Sequence, residues 1–265
     1  MLILDDLQQW RRDTFRNNLV WLESFGCIIE WHRHAISVFH PSLPEYRALL
    51  FYGDAEDLRG HLLSLRVGRQ ATDSLPRVYV DEGDESAAYN DILARMGFRR
   101  IATSVTYAGL VRPRQGKAEI QFRRAEAAES DLWSATYSAG FGRTGEAAAL
   151  DLCRWRLCFR SKDAVRSWFL LLNGAAIGVA QTCHAHNVVG VYSVAILPAH
   201  RRELGLRTIV KAVQSARTFD EPVQSYFEVV RRSEHPTRAS LVMCGDRFNV
   251  VRAMKVYAYT DSLHE

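Results

Sequence analysis

The sequence has 265 residues, of which 48% are hydrophobic and 24% are charged, and its formal net charge at pH 7 is +4. This composition is typical of a folded globular protein and excludes a chain that is mainly disordered. The longest apolar runs are far shorter than the roughly 18 residues of a membrane-spanning helix, so we expect no membrane segment.

The charge is unevenly distributed. Residues 1–115 hold 14 basic and 15 acidic side chains, whereas residues 116–265 hold 20 basic and 15 acidic ones. The excess suits a pocket for an acidic small molecule, and a mildly basic surface is the alternative. It is too dispersed for a nucleic-acid-binding face, so we expect no nucleic-acid partner.

Two further features concern cellular location and metal. The N-terminal segment MLILDDLQQWRRD turns acidic after four residues and does not resemble a secretion signal, which favours the cytoplasm. The five cysteines show no CxxC spacing, and the histidine pair His184 and His186 has no third ligand at a suitable spacing. We therefore expect free thiols and no bound metal.

Hydrophobic periodicity in the first half of the chain predicts short strands alternating with helices. We expect helices at 5–24, 54–68 and 86–97, strands at 27–31, 34–39, 48–52 and 77–82, and a pair of strands spanning 98–111. The segment LVRPRQGKAEI (110–120) joins Pro113, Gly116 and several charges, and it is the best linker candidate. The predicted lobes are therefore 1–113 and 114–265.

The second lobe continues with both kinds of element. We expect strands at 118–125, 223–230 and 253–260, helical segments at 129–159, 202–218 and 236–245, and a hairpin over SWFLLLNGAAIGVAQTCHA. Asn173 and Gly174 tolerate the positive φ angles of a type I′ turn, which makes the hairpin prediction strong. The crossover helix at 202–218 must join two parallel strands. The predicted fold is α+β, with a mixed, mostly antiparallel sheet and flanking helices in two lobes.

The two lobes also share a weak internal similarity. The stretches ARMGFRRIATSVTYAG (94–109) and VMCGDRFNVVRAMKVYAY (242–259) both run from a helix end with glycine into a strand containing Tyr-Ala. A duplicated unit explains this, and repeated use of common α/β parts is the alternative.

The segment VAILPAHRRELGLRTIV (194–210) reads as a strand, an arginine-rich turn with Gly205, and the start of a helix. The first amides of a helix lack intrahelical partners and point outward with the positive end of the helix dipole. Glycine lets an anion approach the backbone closely, and arginine adds charge-assisted contacts. The pattern predicts a pyrophosphate site, and a solvated helix start is the alternative.

Residues 118–260 resemble an acyl-CoA-dependent N-acyltransferase of the GNAT superfamily, and residues 20–112 resemble a second, incomplete copy. The likeness is carried by the NGAAIGVA hairpin, the strand VYSVAILP, the arginine-rich turn and the stretch RFNVVRAMKVYAY. The family signature in the turn is Gln or Arg, two residues, Gly, one residue, and Gly or Ala. The run from Arg202 to Leu206 fits, Arg207 stands at the last small position, and counting from Pro198 puts Arg201 at the arginine position.

The resemblance implies acetyl-CoA or another acyl-CoA as co-substrate, with no metal. It implies that the backbone amides of Val194, Ala195 and Ile196 face the thioester and pantetheine. The residues that it places around the phosphates are Arg201, Arg202, Glu203, Leu204, Gly205, Leu206 and Arg207.

Acyl transfer to an amine requires a base for the amine and a proton for the departing thiolate. We favour Glu228 as the base, because an acidic residue within SYFEVV is costly to bury without a reason, and Tyr226 shares its strand face. A salt bridge from Glu228 to Arg231 or Arg232 is the alternative. Many family members carry a tyrosine about four residues before the glycine-phenylalanine of the last helix, and this tyrosine is missing here. The candidate proton donors are therefore Tyr192, Tyr226, Tyr257 and Tyr259, and a core aromatic is the alternative for each.

We therefore expect an enzyme that transfers an acyl group from CoA to the amine of a small molecule or peptide. The first lobe would help to shape the acceptor pocket, and the protein would be a monomer or a homodimer. The alternative is a catalytically degenerate GNAT-like module that binds CoA or a partner without turnover.

Overall fold

The computed structural model describes residues 4–41, 43–67, 76–81, 86–111, 120–159, 164–201, 223–231 and 249–259. The helices in these ranges are α1 (Leu4–Ser24), α2 (Ala55–Val67), α3 (Ser86–Arg95), α4 (Ser130–Phe141) and α5 (Gly145–Phe159). The strands are β1 (Ile28–Trp31), β2 (Ala35–His40), β3 (Leu43–Phe51), β4 (Arg77–Asp81), β5 (Phe98–Val111), β6 (Ile120–Arg124), β7 (Val165–Leu172), β8 (Ala175–Ala185), β9 (Val188–Ile196), β10 (Val223–Arg231) and β11 (Asn249–Tyr259).

The chain forms two compact units that interleave along the sequence, whereas the predicted lobes 1–113 and 114–265 are each continuous. Unit 1 takes residues from Met1–Gly26, Thr106–Glu228 and Thr237–Val251. Unit 2 takes residues from Cys27–Val105, Val229–Pro236 and Arg252–Glu265. Helix α1 therefore belongs to unit 1, and most of β11 belongs to unit 2.

Unit 1 is built on the strand order β6-β7-β8-β9-β10. The pairs from β6 to β9 are antiparallel, and β9 with β10 is parallel, as predicted for the strands on either side of the proposed crossover. Asn173 and Gly174, with φ of 52° and 82°, form the turn between β7 and β8, which confirms the predicted hairpin. His186 and Asn187 make a second turn with positive φ, between β8 and β9.

One face of the unit 1 sheet is covered by helices. Asn17 and Trp21, four residues apart on α1, contact β8 and β9. The helices α4 and α5 bring Trp133 and Trp155, both completely buried, into T-shaped contact with ring centroids 4.8 Å apart. Phe25 at the end of α1 reaches Trp155 at 5.3 Å, so the three helices share one aromatic core.

Unit 2 repeats this plan in a shorter form. Its strand order is β1-β2-β3-β4-β11-β5, with β1, β2 and β3 antiparallel, β3 and β4 parallel, and β4 and β11 antiparallel. Helix α2 joins the parallel pair, and Leu58 and Leu62 from α2 are buried against Leu93 of α3 and the sheet. Both units therefore contain an antiparallel meander followed by a parallel strand.

The structure differs from the predicted elements at three places. Strand β3 begins at Leu43 rather than at 48, and β11 begins at Asn249 rather than at 253. The stretch 98–111 is a single strand of 14 residues rather than a pair of strands, because its sequence FRRIATSVTYAGLV contains no Gly, Pro, Asn or Asp before Gly109. The predicted helices at 202–218 and 236–245, and residues 112–119 of the linker, lie outside the described residues.

Candidate active site

The parallel pairing of β9 with β10 ends before β9 does. The register joins Gln224 to Val188 and runs to Phe227 opposite Val191. Strand β9 continues to Ile196, and within the described ranges no strand partner joins residues 194–196 on the side away from β8. We call residues 194–196 on this side the open edge of β9. An open strand edge presents backbone donors and acceptors to a ligand.

A β-bulge turns the strand just before the open edge. Tyr192 pairs with Gln181 and Ala195 pairs with Val179, so two residues of β9, Ser193 and Val194, lie opposite the single residue Ala180 of β8. The extra residue is accommodated by Ser193, whose φ is 52°. Because of the bulge, Tyr192 and Ala195 point to the same face of the sheet, although they are three residues apart.

The backbone direction at Ile196 follows from its neighbour. The amide of Leu197 donates to the carbonyl of Ile177 on β8 at 2.9 Å. Successive strand residues turn their backbone groups to opposite sides, so the N–H and C=O of Ile196 point away from β8. The open edge therefore carries a backbone N–H donor at Ile196.

Two glycines allow unusually close packing around Ala195, which is 3% exposed. A Cβ at Gly140 of α4 would lie 2.8 Å from the Cβ of Ala195 and 3.2 Å from the nitrogen of Ile196. A Cβ at Gly178 of β8 would overlap the carbonyl oxygen of Ala195. Only glycine permits these approaches, so the end of α4 lies directly against the open edge.

Arg201 connects the same two elements. The chain turns through a short 3₁₀ segment, Pro198–His200, and Arg201 follows it. The Nε of Arg201 donates to the carbonyl of Ile196 at 3.2 Å, and its Nη2 donates to the carbonyl of Gly140. One guanidinium thus bridges the last residue of β9 and the C-terminal turn of α4.

Solved structures share this architecture. A GCN5-related N-acetyltransferase from Kribbella flavida superposes with a TM-score of 0.63 over 91% of this chain and 93% of its own, at 13% identity. A functionally unknown conserved protein from Staphylococcus epidermidis gives 0.66 over 88% and 93%, at 9% identity. A GCN5-related N-acetyltransferase from Sphaerobacter thermophilus gives 0.56 over 86% and 81%, at 14% identity. The chain has the GNAT fold.

The predicted resemblance to the GNAT superfamily is therefore confirmed in the fold. No family model matches the sequence, and no curated protein matches it. The three structures share 9–14% of their residues with this chain, and the likeness is one of fold.

Among the predicted catalytic residues in unit 1, Tyr192 is the one whose side-chain contacts the structure describes. It is 7% exposed and stacks on Trp21, with ring centroids 4.2 Å apart. Its hydroxyl donates to the Oδ1 of Asn17 at 3.0 Å. The hydroxyl thus has a buried partner on α1, and the proposed role of Tyr192 as proton donor stays a prediction.

The two predicted catalytic residues of β10 lie near the end of its pairing with β9. Tyr226 lies opposite Gly190, and Glu228 follows Phe227, the last residue of β10 that pairs with β9. Glu228 is thus the first residue of β10 beyond the pairing with β9. The proposed phosphate-binding residues Arg202, Glu203, Leu204, Gly205, Leu206 and Arg207 lie outside the described residues.

A buried polar cluster connects α4 to α5. It was not predicted from the sequence. Asp151 is 1% exposed and accepts hydrogen bonds from the Oγ of Ser138 at 2.9 Å and the Nη1 of Arg143 at 2.7 Å. A nitrogen of Arg154 lies 3.7 Å from the same carboxylate. Burial raises the pKa of the neighbouring Tyr137 to about 12, so this hydroxyl stays protonated at neutral pH. The acidic residue between Leu150 and Leu152 was the available signal.

His184 and Cys183, two neighbouring residues of β8, are both shielded from solvent. His184 bonds to the Oγ1 of Thr182 at 3.2 Å, and burial lowers the pKa of His184 to about 4. Burial raises the pKa of the Cys183 thiol to about 12, which keeps it unreactive. Within the described ranges, no group of three or more metal-ligating side chains could hold a metal ion, and no helix has the length and apolar character to cross a membrane.

Proposed function

We propose that unit 1 binds an acyl-CoA along the open edge of β9 and transfers its acyl group to an amine. The observation that carries this proposal is the end of the β9–β10 pairing at Val191, which leaves five residues of β9 beyond it. Backbone groups there suit the extended pantetheine arm, which carries amides of its own. The likeness in fold to N-acetyltransferases supports the same reaction class.

The reaction follows from the chemistry of a thioester. The amine lone pair attacks the carbonyl carbon, a C–N bond forms, and the developing oxyanion accepts hydrogen bonds from backbone donors such as the N–H of Ile196. The C–S bond then breaks, and CoA leaves as a thiolate that takes up a proton. Glu228 is the proposed base that removes the proton from the amine.

The phosphates of the cofactor are proposed to bind at the turn that starts with Arg201 and contains Gly205. This part rests on the sequence pattern of a strand, an arginine-rich turn and a helix start, and on the resemblance to the GNAT signature. The acceptor is proposed to be a small molecule or a peptide amine, and the cytoplasm is the proposed location.

The corresponding place in unit 2 does not suit an anion. Strand β3 is paired with β4 up to its last residue, Phe51 opposite Val80, so it leaves no open edge. The side chain of Asp54 accepts the amide of Asp57 at 2.8 Å at the start of α2, and Glu56 adds a further negative charge in the first turn. A pyrophosphate there would compete with a carboxylate and be repelled.

We expect each chain to bind one molecule of acetyl-CoA. Isothermal titration calorimetry with acetyl-CoA and longer acyl-CoAs measures both affinity and stoichiometry. If no acyl-CoA binds, the proposed function is rejected. If two molecules bind per chain, the proposed function stands, but the statement that unit 2 does not bind CoA is wrong. Release of free thiol with a panel of amines then separates an enzyme from a module that only binds CoA.

Glu228→Gln is expected to lower kcat by about 10²–10⁴-fold while the affinity for acetyl-CoA stays nearly unchanged, since the amide cannot accept the proton. The measurement is thiol release across pH, and Glu23→Gln, an exposed change on α1, is the control. A variant with the same turnover as the parent protein at every pH would show that another group is the base.

A further inference from the structure

Arg201 stands at the family's arginine position when the signature is counted from Pro198, which suggests a phosphate contact. Its side chain does something else in the structure. The guanidinium donates to two backbone carbonyls, that of Ile196 and that of Gly140. These carbonyls belong to the two elements that meet at the open edge.

The bond to Ile196 has a direct consequence for the open edge. The C=O of Ile196 points away from β8, and Arg201 Nε is its partner at 3.2 Å. An unpartnered carbonyl oxygen beside a developing oxyanion would repel the negative charge. A guanidinium bonded to that oxygen weakens this repulsion and fixes the peptide group that joins Ile196 to Leu197, which directly follows the peptide group that carries the Ile196 N–H.

The bond to Gly140 fixes the other side of the junction. The last turn of a helix has carbonyls without intrahelical partners, and a cationic side chain is a favourable donor to them. Gly140 also packs closely on β9, since a Cβ at this position would lie 3.2 Å from the nitrogen of Ile196. Arg201 therefore ties α4 to β9 beside the N–H of Ile196 that is proposed to bind the thioester oxygen.

We infer that Arg201 is a positioning residue: it orients the backbone of Ile196 toward the thioester carbonyl of a bound acyl-CoA through its bridge to Gly140, and it does not act as a phosphate ligand. The inference rests on the proposed binding of acyl-CoA at the open edge. It assigns a function to this arginine that its place in the signature does not suggest.

The test uses the carbonyl stretching band of acetyl-CoA labelled with ¹³C at the thioester carbon, bound to the full chain. Hydrogen bonds to a carbonyl oxygen lower its stretching frequency, so the parent protein should shift the band of the bound ligand. Arg201→Ala at saturating ligand is expected to lose most of this shift, with a dissociation constant for acetyl-CoA within about threefold of the parent value.

Arg201→Lys distinguishes positioning from phosphate binding. Lysine keeps the charge and can still contact a phosphate, but it lacks the planar fork that reaches two carbonyls. We expect Arg201→Lys to lose the shift as Arg201→Ala does. Gly140→Ala should also reduce the shift because its Cβ would press on Ala195. Arg123→Ala, which removes an exposed arginine paired with Glu129, is the matched control and should retain it.

Binding of S-acetylpantetheine, which has no nucleotide, completes the experiment. A positioning role predicts that Arg201→Ala changes the affinity for acetyl-CoA and for S-acetylpantetheine equally. The inference is overturned if Arg201→Ala keeps the band shift, or if it weakens acetyl-CoA binding by about tenfold or more and leaves S-acetylpantetheine unaffected. If the parent protein binds neither ligand, the proposed function itself is rejected.

Discussion

Asp151→Ala is expected to lower the free energy of unfolding of unit 1 by about 3 kcal/mol, because it leaves two arginines without their buried counter-charge. The carboxylate is 1% exposed and lies within 3.7 Å of nitrogens from Arg143 and Arg154. Arg154 is the more affected partner, since its side chain is only 12% exposed and its guanidinium lies over the ring of Trp155. Urea unfolding monitored by tryptophan fluorescence measures the change.

The position of Asp151 also connects this loss of stability to the candidate active site. Gly142, directly after the last residue of α4, has the left-handed conformation with φ of 67°, and the amide of Arg143 donates to the carbonyl of Ser138. Asp151 holds the side chain of Arg143 in this arrangement, and Arg143 lies three residues after Gly140, which packs against Ala195. We expect the variant to bind acetyl-CoA more weakly at temperatures where it is still folded.

An exposed ion pair on the same helices provides the control for Asp151. Asp131 of α4 pairs with Arg156 of α5 at 2.6 Å, but both side chains are at least half exposed. Solvent and salt screen such pairs, so Asp131→Ala should change stability little. Equal effects of the two substitutions would contradict the role assigned to the buried carboxylate.

The sequence predicted best those parts of the fold that local rules determine. Asn173 and Gly174 form the type I′ turn because their residue types tolerate positive φ, and no tertiary contact is needed to see this. The parallel direction of β9 and β10 follows from the length of the intervening chain. The helices and strands of the described residues agree with the periodicity, apart from the uninterrupted strand β5 and the earlier starts of β3 and β11.

The candidate site was predicted less completely because its geometry depends on contacts between distant residues. Ser193 adopts a positive φ that its residue type does not favour, and the bulge is visible only when β8 is paired with β9. The close approach of Gly140 to Ala195 joins residues 55 positions apart in the chain. The family resemblance predicts that the backbone of residues 194–196 faces the cofactor. It does not predict that Arg201 bonds to the carbonyls of Ile196 and Gly140.

The role of Asn17 was not predicted for the same reason. An asparagine on the apolar face of α1 does, however, indicate a buried polar contact. Asn17 is completely buried, and its Nδ2 lies 2.9–3.0 Å from the carbonyl oxygens of Cys183, Ala185 and Val188, which share its two N–H donors. These carbonyls surround the turn between β8 and β9. One buried side chain thus connects α1 to three backbone acceptors at this turn.

Asn17→Leu is expected to lower the free energy of unfolding by about 3–5 kcal/mol, since leucine has a similar volume but no donor for these carbonyls. Tyr192→Phe, which removes only the hydroxyl that donates to Asn17 Oδ1, should cost about 1 kcal/mol. Arg16→Ala, at an exposed position of the same helix, is the control for changes in helix α1 itself. Urea unfolding of the three variants gives the comparison.

The same variants test whether α1 controls the shape of the open edge. Tyr192 precedes the bulge at Ser193, and its ring and hydroxyl are held by Trp21 and Asn17. If this contact fixes the register of the bulge, Asn17→Leu should weaken acetyl-CoA binding more than Tyr192→Phe does, in the order of their stability losses. Unchanged affinity in a folded Asn17→Leu protein would show that β8 and Gly178 hold the bulge without help from α1. A Cβ at Gly178 would overlap the carbonyl of Ala195, so the neighbouring strand constrains the same segment.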